Sequence, residues 1–308
     1  MPDHGPVLRA ILISLVALVL FDLMGLIIKY LSARYSAAEL SAYRNIFGII
    51  PSAIALWASA RWHQEGRRLR VRQTALMCSR GLIVAVAQFL FYLSLGRIAF
   101  ATASTITYSG ALFTTVFAAI LLSERVGVVR WGAVIMGFVG VLMVMGLGRE
   151  AFSLDALLPL GAAVLYSLTG TTARLVDSDV PSALVNLYST VFAIIGSVLL
   201  AFFLGGFSPI DSTSDMLWII AMGGFGGSAV LLIVVSYRMT EQSNLAPFSY
   251  FGIPIAFVLG WVFFDETPVN DLFPGALLII AGGLLIIWRQ RRLNRHTSMT
   301  IPGPRIPK

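Results

Sequence analysis

Three ionisable residues stand inside long apolar runs of this chain: Asp22, Arg44 and Arg80. A charge in hydrocarbon is costly, so each should face a cavity or a partner and is a candidate for ligand contact, ion coupling or pairing. At a helical rise of about 1.5 Å per residue, Asp22 and Arg44 reach a similar depth. An ion pair between them is therefore possible, and a substrate or coupling role fits the same placement. Arg80 lies nearer one surface, with no acid in the neighbouring runs. Its guanidinium either snorkels to that surface or offers a cavity the planar fork that suits a carboxylate or phosphate. The same run continues with Val84, Gln88 and Tyr92 at four-residue spacing, a stripe that lines a path or bonds helix to helix.

Hydroxyl-tipped rings are the second candidate set. Ser104, Tyr108, Ala111 and Thr115 share one face at helical spacing, with Tyr108 near mid-run. Tyr166 also falls near mid-run, and Tyr250 nearer an end. Such rings enclose a cation or stack on a planar ligand, or simply pack between helices. Enzyme chemistry has little to work with. His4, His63 and His296 fall outside the apolar runs, Asp22 is the one acid within them away from their first residues, and Cys78 is the single cysteine. No metal cluster, acid pair or nucleophile-base dyad assembles from these, and no cofactor is implied.

The elements that must carry these residues are membrane spans. Of 308 residues, 57% are hydrophobic and 12% charged, and the mean hydropathy is +0.85, far from a soluble composition with about 25% charged residues. A span takes roughly 20 apolar residues. Ten runs fit: 9–30, 38–60, 73–96, 99–122, 128–147, 154–174, 181–205, 215–238, 243–264 and 271–289. They are too long and too continuous for barrel strands. The first run lacks the small-residue cleavage site of a secretory signal and reads as a retained span. With the N-terminus inside, sixteen of the 22 Lys and Arg residues fall on the inner side and four on the outer, so both termini should be cytoplasmic. The net charge of +7 is then a topology signal, and nucleic acid is not implied as a partner.

A long stretch is written twice. Tyr108, Gly110 and Glu124 recur as Tyr250, Gly252 and Glu266 at an offset of 142; Phe21, Gly25 and Lys29 recur as Tyr166, Gly170 and Arg174 at an offset of 145. Five spans per copy turn the second copy over, giving an inverted repeat of the kind found in secondary transporters. The expected units are residues 8–148, residues 154–290 and a basic cytoplasmic tail, 291–308. Glu124 and Glu266 sit at span ends, where capping or loop anchoring accounts for an acid, with a gate contact as the alternative. Pro247 and Pro254 should kink the ninth span with no equivalent in the fourth. Gly223, Gly224, Gly226 and Gly227 should loosen the eighth, and Gly132, Gly137, Gly140, Gly275, Gly282 and Gly283 should let helices approach closely.

These features bring a family into view. The Arg80-Gly81 start of the third run, the ending Leu121-Leu122-Ser123-Glu124-Arg125 and the Trp131-Gly132 that follows resemble the EamA-type branch of the drug/metabolite transporter superfamily. The resemblance covers roughly residues 8–290. It implies an all-α integral membrane protein of ten helices in two inverted five-helix repeats, in the plasma membrane, here the bacterial inner membrane. It further implies alternating access for a small organic metabolite, such as an amino acid, amine, carboxylate or vitamin, and a possible homodimer through the last helix of each repeat. The competing reading is a non-transporting scaffold or a channel.

Overall fold

The computed structural model describes residues 5–64, 66, 69, 72–124, 126–146, 153–177, 180–210, 212–240 and 245–299. Arg125 and the tail from Thr300 to Lys308 lie outside the described residues, as do the side chains from Gln290 onward. Among the described residues all regular structure is helical: α1 Gly5–Leu31, α2 Ala37–Trp57, α3 Ala60–Gln64, α4 Thr74–Leu95, α5 Phe100–Tyr108, α6 Gly110–Leu121, α7 Val128–Val144, α8 Leu157–Thr172, α9 Ser182–Phe203, α10 Thr213–Met239, α11 Gly252–Phe264, α12 Val269–Leu272 and α13 Gly275–Met299. Seven helical stretches are long and apolar enough to cross a membrane, with Phe100–Leu121 counted as one. Val128–Val144 and Gly275–Arg289 are shorter apolar helices. Helix α2 is 21 residues long but carries Glu39, Arg44, Asn45 and Pro51. Outward faces are rich in exposed Ile, Leu, Val, Phe and Trp, including Ile50, Ile54, Ile135, Phe203 and Val262, which suits lipid contact.

The duplicated stretch breaks at the same place in both copies. Helix α5 stops at Tyr108, Ser109 turns back to bond Ile106 O through its hydroxyl (2.6 Å), and α6 restarts at Gly110. In the second copy a 3-10 segment, Ala246–Phe251, gives way to α11 at Gly252. The kink expected from proline in one copy is thus shared. Pro254 lies in the first turn of α11 and Pro247 at the start of the 3-10 segment, where a missing N–H is tolerated. Both copies also end alike. Ser123 (φ 52°) and Asp265 (φ 54°) adopt the left-handed conformation of a helix C-cap, and Glu124 N and Glu266 N bond back to Ala118 O (3.2 Å) and Gly260 O (3.1 Å).

This cap aims each glutamate across to the other copy. Lys29 at the end of α1 meets Glu266 at 2.8 Å and also donates to the free carbonyls of Leu95 (3.1 Å) and Ile98 (2.8 Å). Glu266 Oε2 accepts from Phe100 N at 2.8 Å. One ion pair therefore satisfies the end of α4 and the start of α5, whose orphan groups would otherwise be bare. At the opposite end of the bundle, Arg174, the repeat mate of Lys29, meets Glu124 at 2.7 Å, with Arg130 at 3.9 Å. The Lys29 end is further tied by Arg34–Asp215 (2.7 Å), by Tyr35 Oη donating to Asp215 (3.1 Å) and by Arg97–Asp155 (2.9 Å). Burial and the Asp215 carboxylate push the Tyr35 phenol above its ordinary value.

Glycine sets the closest crossings. A Cβ on Gly140 would lie 2.5 Å from Gly275 O, and one on Gly282 2.7 Å from Ala133 O, so the glycine faces of α7 and α13 are spent on each other within the chain. Gly223, Gly226 and Gly227 do not loosen α10, which is one continuous helix. They seat it closely: a Cβ would lie 2.3 Å from Phe47 at Gly223, 2.6 Å from the Met24 sulfur at Gly226 and 2.7 Å from Pro51 at Gly227.

The two glutamates differ in setting, since the Lys29 and Arg174 side chains are 12% and 58% exposed. Glu266→Ala should cost about 1.5–3 kcal/mol by stranding Lys29 and the Phe100 N–H. Glu124→Ala should cost about 0–1 kcal/mol, as exposed pairs do. Thermal unfolding of the detergent-solubilised variants checks the ranking.

Candidate functional site

A cavity of about 460 Å³ opens at mid-depth between helices of the two copies. Helices α1, α2, α4 and α5 bring Asp22, Arg44, Asn45, Gln88, Tyr92, Ser104 and Tyr108; α8, α9 and α10 bring Tyr166, Asn186, Ser189, Thr190 and Gly227. Six rings face it: Phe21, Phe91, Tyr92, Phe100, Tyr108 and Tyr166.

Asp22 and Arg44 are 5% and 8% exposed and both line this space, but the expected ion pair between them is not made. Asp22 Oδ2 and Arg44 Nε have no protein hydrogen-bond partner. The reason is local to Arg44. Its Nη1 donates to Asn45 Oδ1 at 3.0 Å, and its Nε lies 2.8 Å from where a Cβ on Gly226 would stand. Asn45 is fixed in turn, donating from Nδ2 to Gln88 Oε1 (2.7 Å) and Ser197 Oγ (3.3 Å), while Ser41 Oγ also donates to Gln88 Oε1 (3.3 Å). The guanidinium is thus held by α2, α4, α9 and α10. Gln88 lines the cavity and bonds between helices at once.

The stripe Val84, Gln88, Tyr92 lines the cavity throughout. The face through Ser104 and Tyr108 also lines it, then stops: the break at Ser109 leaves Ala111 exposed and turns the Thr115 hydroxyl onto Ala111 O (3.5 Å). Two candidates lie elsewhere. Arg80 donates from Nη1 to Thr169 O and to Thr172 Oγ1 (3.1 Å), closing the carbonyl end of α8. Tyr250 is turned towards α13, where its hydroxyl occupies the space a Cβ on Gly283 would need (1.5 Å). Its first-copy mate Tyr108 does the same over Gly252 (1.7 Å) while keeping its ring on the cavity.

Asn45, Asn186, Ser189 and Thr190 were not singled out by sequence. Being neutral, they draw no notice, although polar residues at 186, 189 and 190 on one face of an apolar run mark a lined helix. The offset of 145 that relates Phe21 to Tyr166 also carries Tyr43-Arg44-Asn45 onto Tyr188-Ser189-Thr190 and Asp22 onto Ser167. Equivalent positions therefore line the cavity from both copies, but its carboxylate and guanidinium come from the first alone.

The profile of the EamA-like transporter family matches residues 8–146 and again residues 154–288. The chain belongs to the EamA-like transporter family. It is a multi-pass membrane protein of a transporter family, and the enzyme alternative falls. A riboflavin transporter of Vibrio cholerae is 28% identical over 190 residues, 61% of this chain and 63% of that protein. An S-adenosylmethionine uptake transporter of Rickettsia bellii is 24% identical over 283 residues, 91% of this chain and 93% of its own length. A crystal structure with 20% sequence identity shares the fold, with a TM-score of 0.63 over 92% of this chain and 98% of its own.

Asn45→Ala should cost about 1–3 kcal/mol by leaving buried polar groups unpaired, read as a lower unfolding temperature in detergent. Gly252→Ala should cost about 1–3 kcal/mol through overpacking against the Tyr108 hydroxyl. Tyr108→Ala in the same chain should remove most of that penalty, which a double-mutant thermal-unfolding cycle measures.

Proposed function

We propose that this EamA-like protein is a secondary transporter that carries a small organic metabolite with a planar ring across the bacterial inner membrane by alternating access. The observation that carries the reading is the ring-lined cavity between the two copies, with Asp22 and Arg44 unpaired within it. Ligand sites of transporters with repeated halves lie at mid-depth on the interface between them. The named relatives point the same way, since riboflavin and S-adenosylmethionine both contain fused planar heterocycles. In this reading the ten helical passes form two inverted units, residues 8–148 and 154–290, and both termini are cytoplasmic. The Lys29 clamp then faces outward and the Arg174 clamp inward. Tyr108, Tyr166 and Tyr92 hold the ring, Gln88 and Ser104 meet its polar edges, and Arg80 and Tyr250 act only by fixing helices.

Purified protein in liposomes tests this directly. Saturable uptake of radiolabelled S-adenosylmethionine or riboflavin, accelerated by the same unlabelled compound on the other side, is expected. Tyr166→Ala should reduce it about five- to tenfold, the loss of one stacking contact of roughly 1–1.5 kcal/mol. No flux of either compound, or of a wider metabolite panel, supports the scaffold reading instead.

A further inference from the structure

Two buried ionisable side chains, one an acid and one a guanidinium, share one cavity and do not meet. Asp22 and Arg44 are each more than nine-tenths buried, they line the same space, and neither Asp22 Oδ2 nor Arg44 Nε finds a protein partner. In a low-dielectric interior the cheapest solution is a direct ion pair, because an uncompensated buried charge is far more costly than a bridged one. The fold forgoes that solution and spends a network on doing so. Arg44 is drawn to Asn45 Oδ1 (3.0 Å), Asn45 is drawn to Gln88 (2.7 Å) and Ser197 (3.3 Å), and the glycine at 226 clears room for the guanidinium. Side chains restrained this way are arranged ahead of binding, which lowers the ordering cost when a ligand arrives.

Architecture does not demand the charges. At the equivalent positions of the second copy stand Ser167 and Ser189, and the same helices form around them. Water in the cavity can solvate both groups, but a ligand that fills the space displaces that water and must replace what it did. An anion would leave Asp22 uncompensated, a cation would leave Arg44, and a neutral ring would leave both.

We propose that the cavity recognises a zwitterion, whose carboxylate is bound by Arg44 and whose cationic centre lies beside Asp22, with its ring against Phe21, Tyr108 and Tyr166. The inference rests on the transporter reading and narrows its substrate class. Guanidinium forks match carboxylates in two-point hydrogen bonding. A cation between Asp22 and the faces of Tyr108 and Phe21 gains from charge and from the ring quadrupoles together. Between the ligands named for its relatives, the lining favours a sulfonium amino acid such as S-adenosylmethionine over the uncharged flavin.

Ligand-induced shifts in the unfolding temperature of the purified full-length chain, titrated to give affinities, test the assignment. One probe series is S-adenosylmethionine, adenosine and riboflavin; the other is tryptophan, tryptamine and indole-3-propionate, which delete one charge at a time. The member of at least one series that carries both a carboxylate and a cationic centre should bind about tenfold or more tighter than the members lacking either, as loss of a charge-assisted bond predicts. Arg44→Gln should lose that preference while sparing tryptamine relative to tryptophan. Asp22→Asn should do the reverse and spare indole-3-propionate. If either variant fails to fold, the wild-type ranking alone decides. Riboflavin or adenosine binding as well as S-adenosylmethionine, together with tryptamine or indole-3-propionate binding as well as tryptophan, overturns the zwitterion but leaves a transporter that shows riboflavin counterflow intact. Absence of counterflow for every probe, with binding preserved, overturns transport and leaves the recognition standing.

Discussion

A membrane span ends with backbone groups that have no partner, and in this protein the two copies supply those partners to each other. Lys29 takes the carbonyls at the end of α4, Glu266 takes the amide at the start of α5, and the two side chains then neutralise one another. The aim of Glu266 depends on Asp265 accepting a left-handed backbone, and Ser123 does the same for Glu124. A short-range cap becomes a long-range clamp. Each clamp joins the first helix of one copy to the fourth of the other, and at the Lys29 end the start of α5 is satisfied by a glutamate of the second copy. The cavity lies on the seam between the two copies, lined by helices of both.

Between the clamps the packing divides into tight and open regions. Glycine brings α7 onto α13 and α10 onto α1 and α2 at distances that leave no room for a side chain. The cavity lies beside the second of these contacts, so Arg44 is pressed from one side by a helix that cannot retreat without losing its seat on Phe47 and Pro51. Rigid backing on one side and open space on the other give a buried guanidinium a fixed direction. The aromatic residues complete the wall without adding charge, so the electrostatic character of the cavity belongs to two residues.

Much of this was legible in the sequence, for reasons that vary by residue. The repeat shows because a tyrosine two residues before a glycine and a glutamate after a left-handed cap each need a particular residue type in both copies. Asp22 and Arg44 show because an ionisable residue in an apolar run has few benign explanations. Their failure to pair does not show, since a helical rise fixes depth and says nothing of direction around the axis. The same gap explains Arg80, whose depth suited a cavity but whose side chain reaches the end of α8, and Tyr250, which turns to Gly283. The glycines of α10 misled because loosening and close seating demand the same residue.

The break at Tyr108 and its counterpart at Tyr250 look like one device used twice, but the tyrosines rest on glycines of different origin. Tyr108 rests on Gly252, from the other copy, while Tyr250 rests on Gly283, from its own. The acid at 22 and the guanidinium at 44 likewise have only Ser167 and Ser189 at the equivalent positions of the second copy. The scaffold is present in duplicate, whereas the ionisable part of the lining comes from the first copy alone.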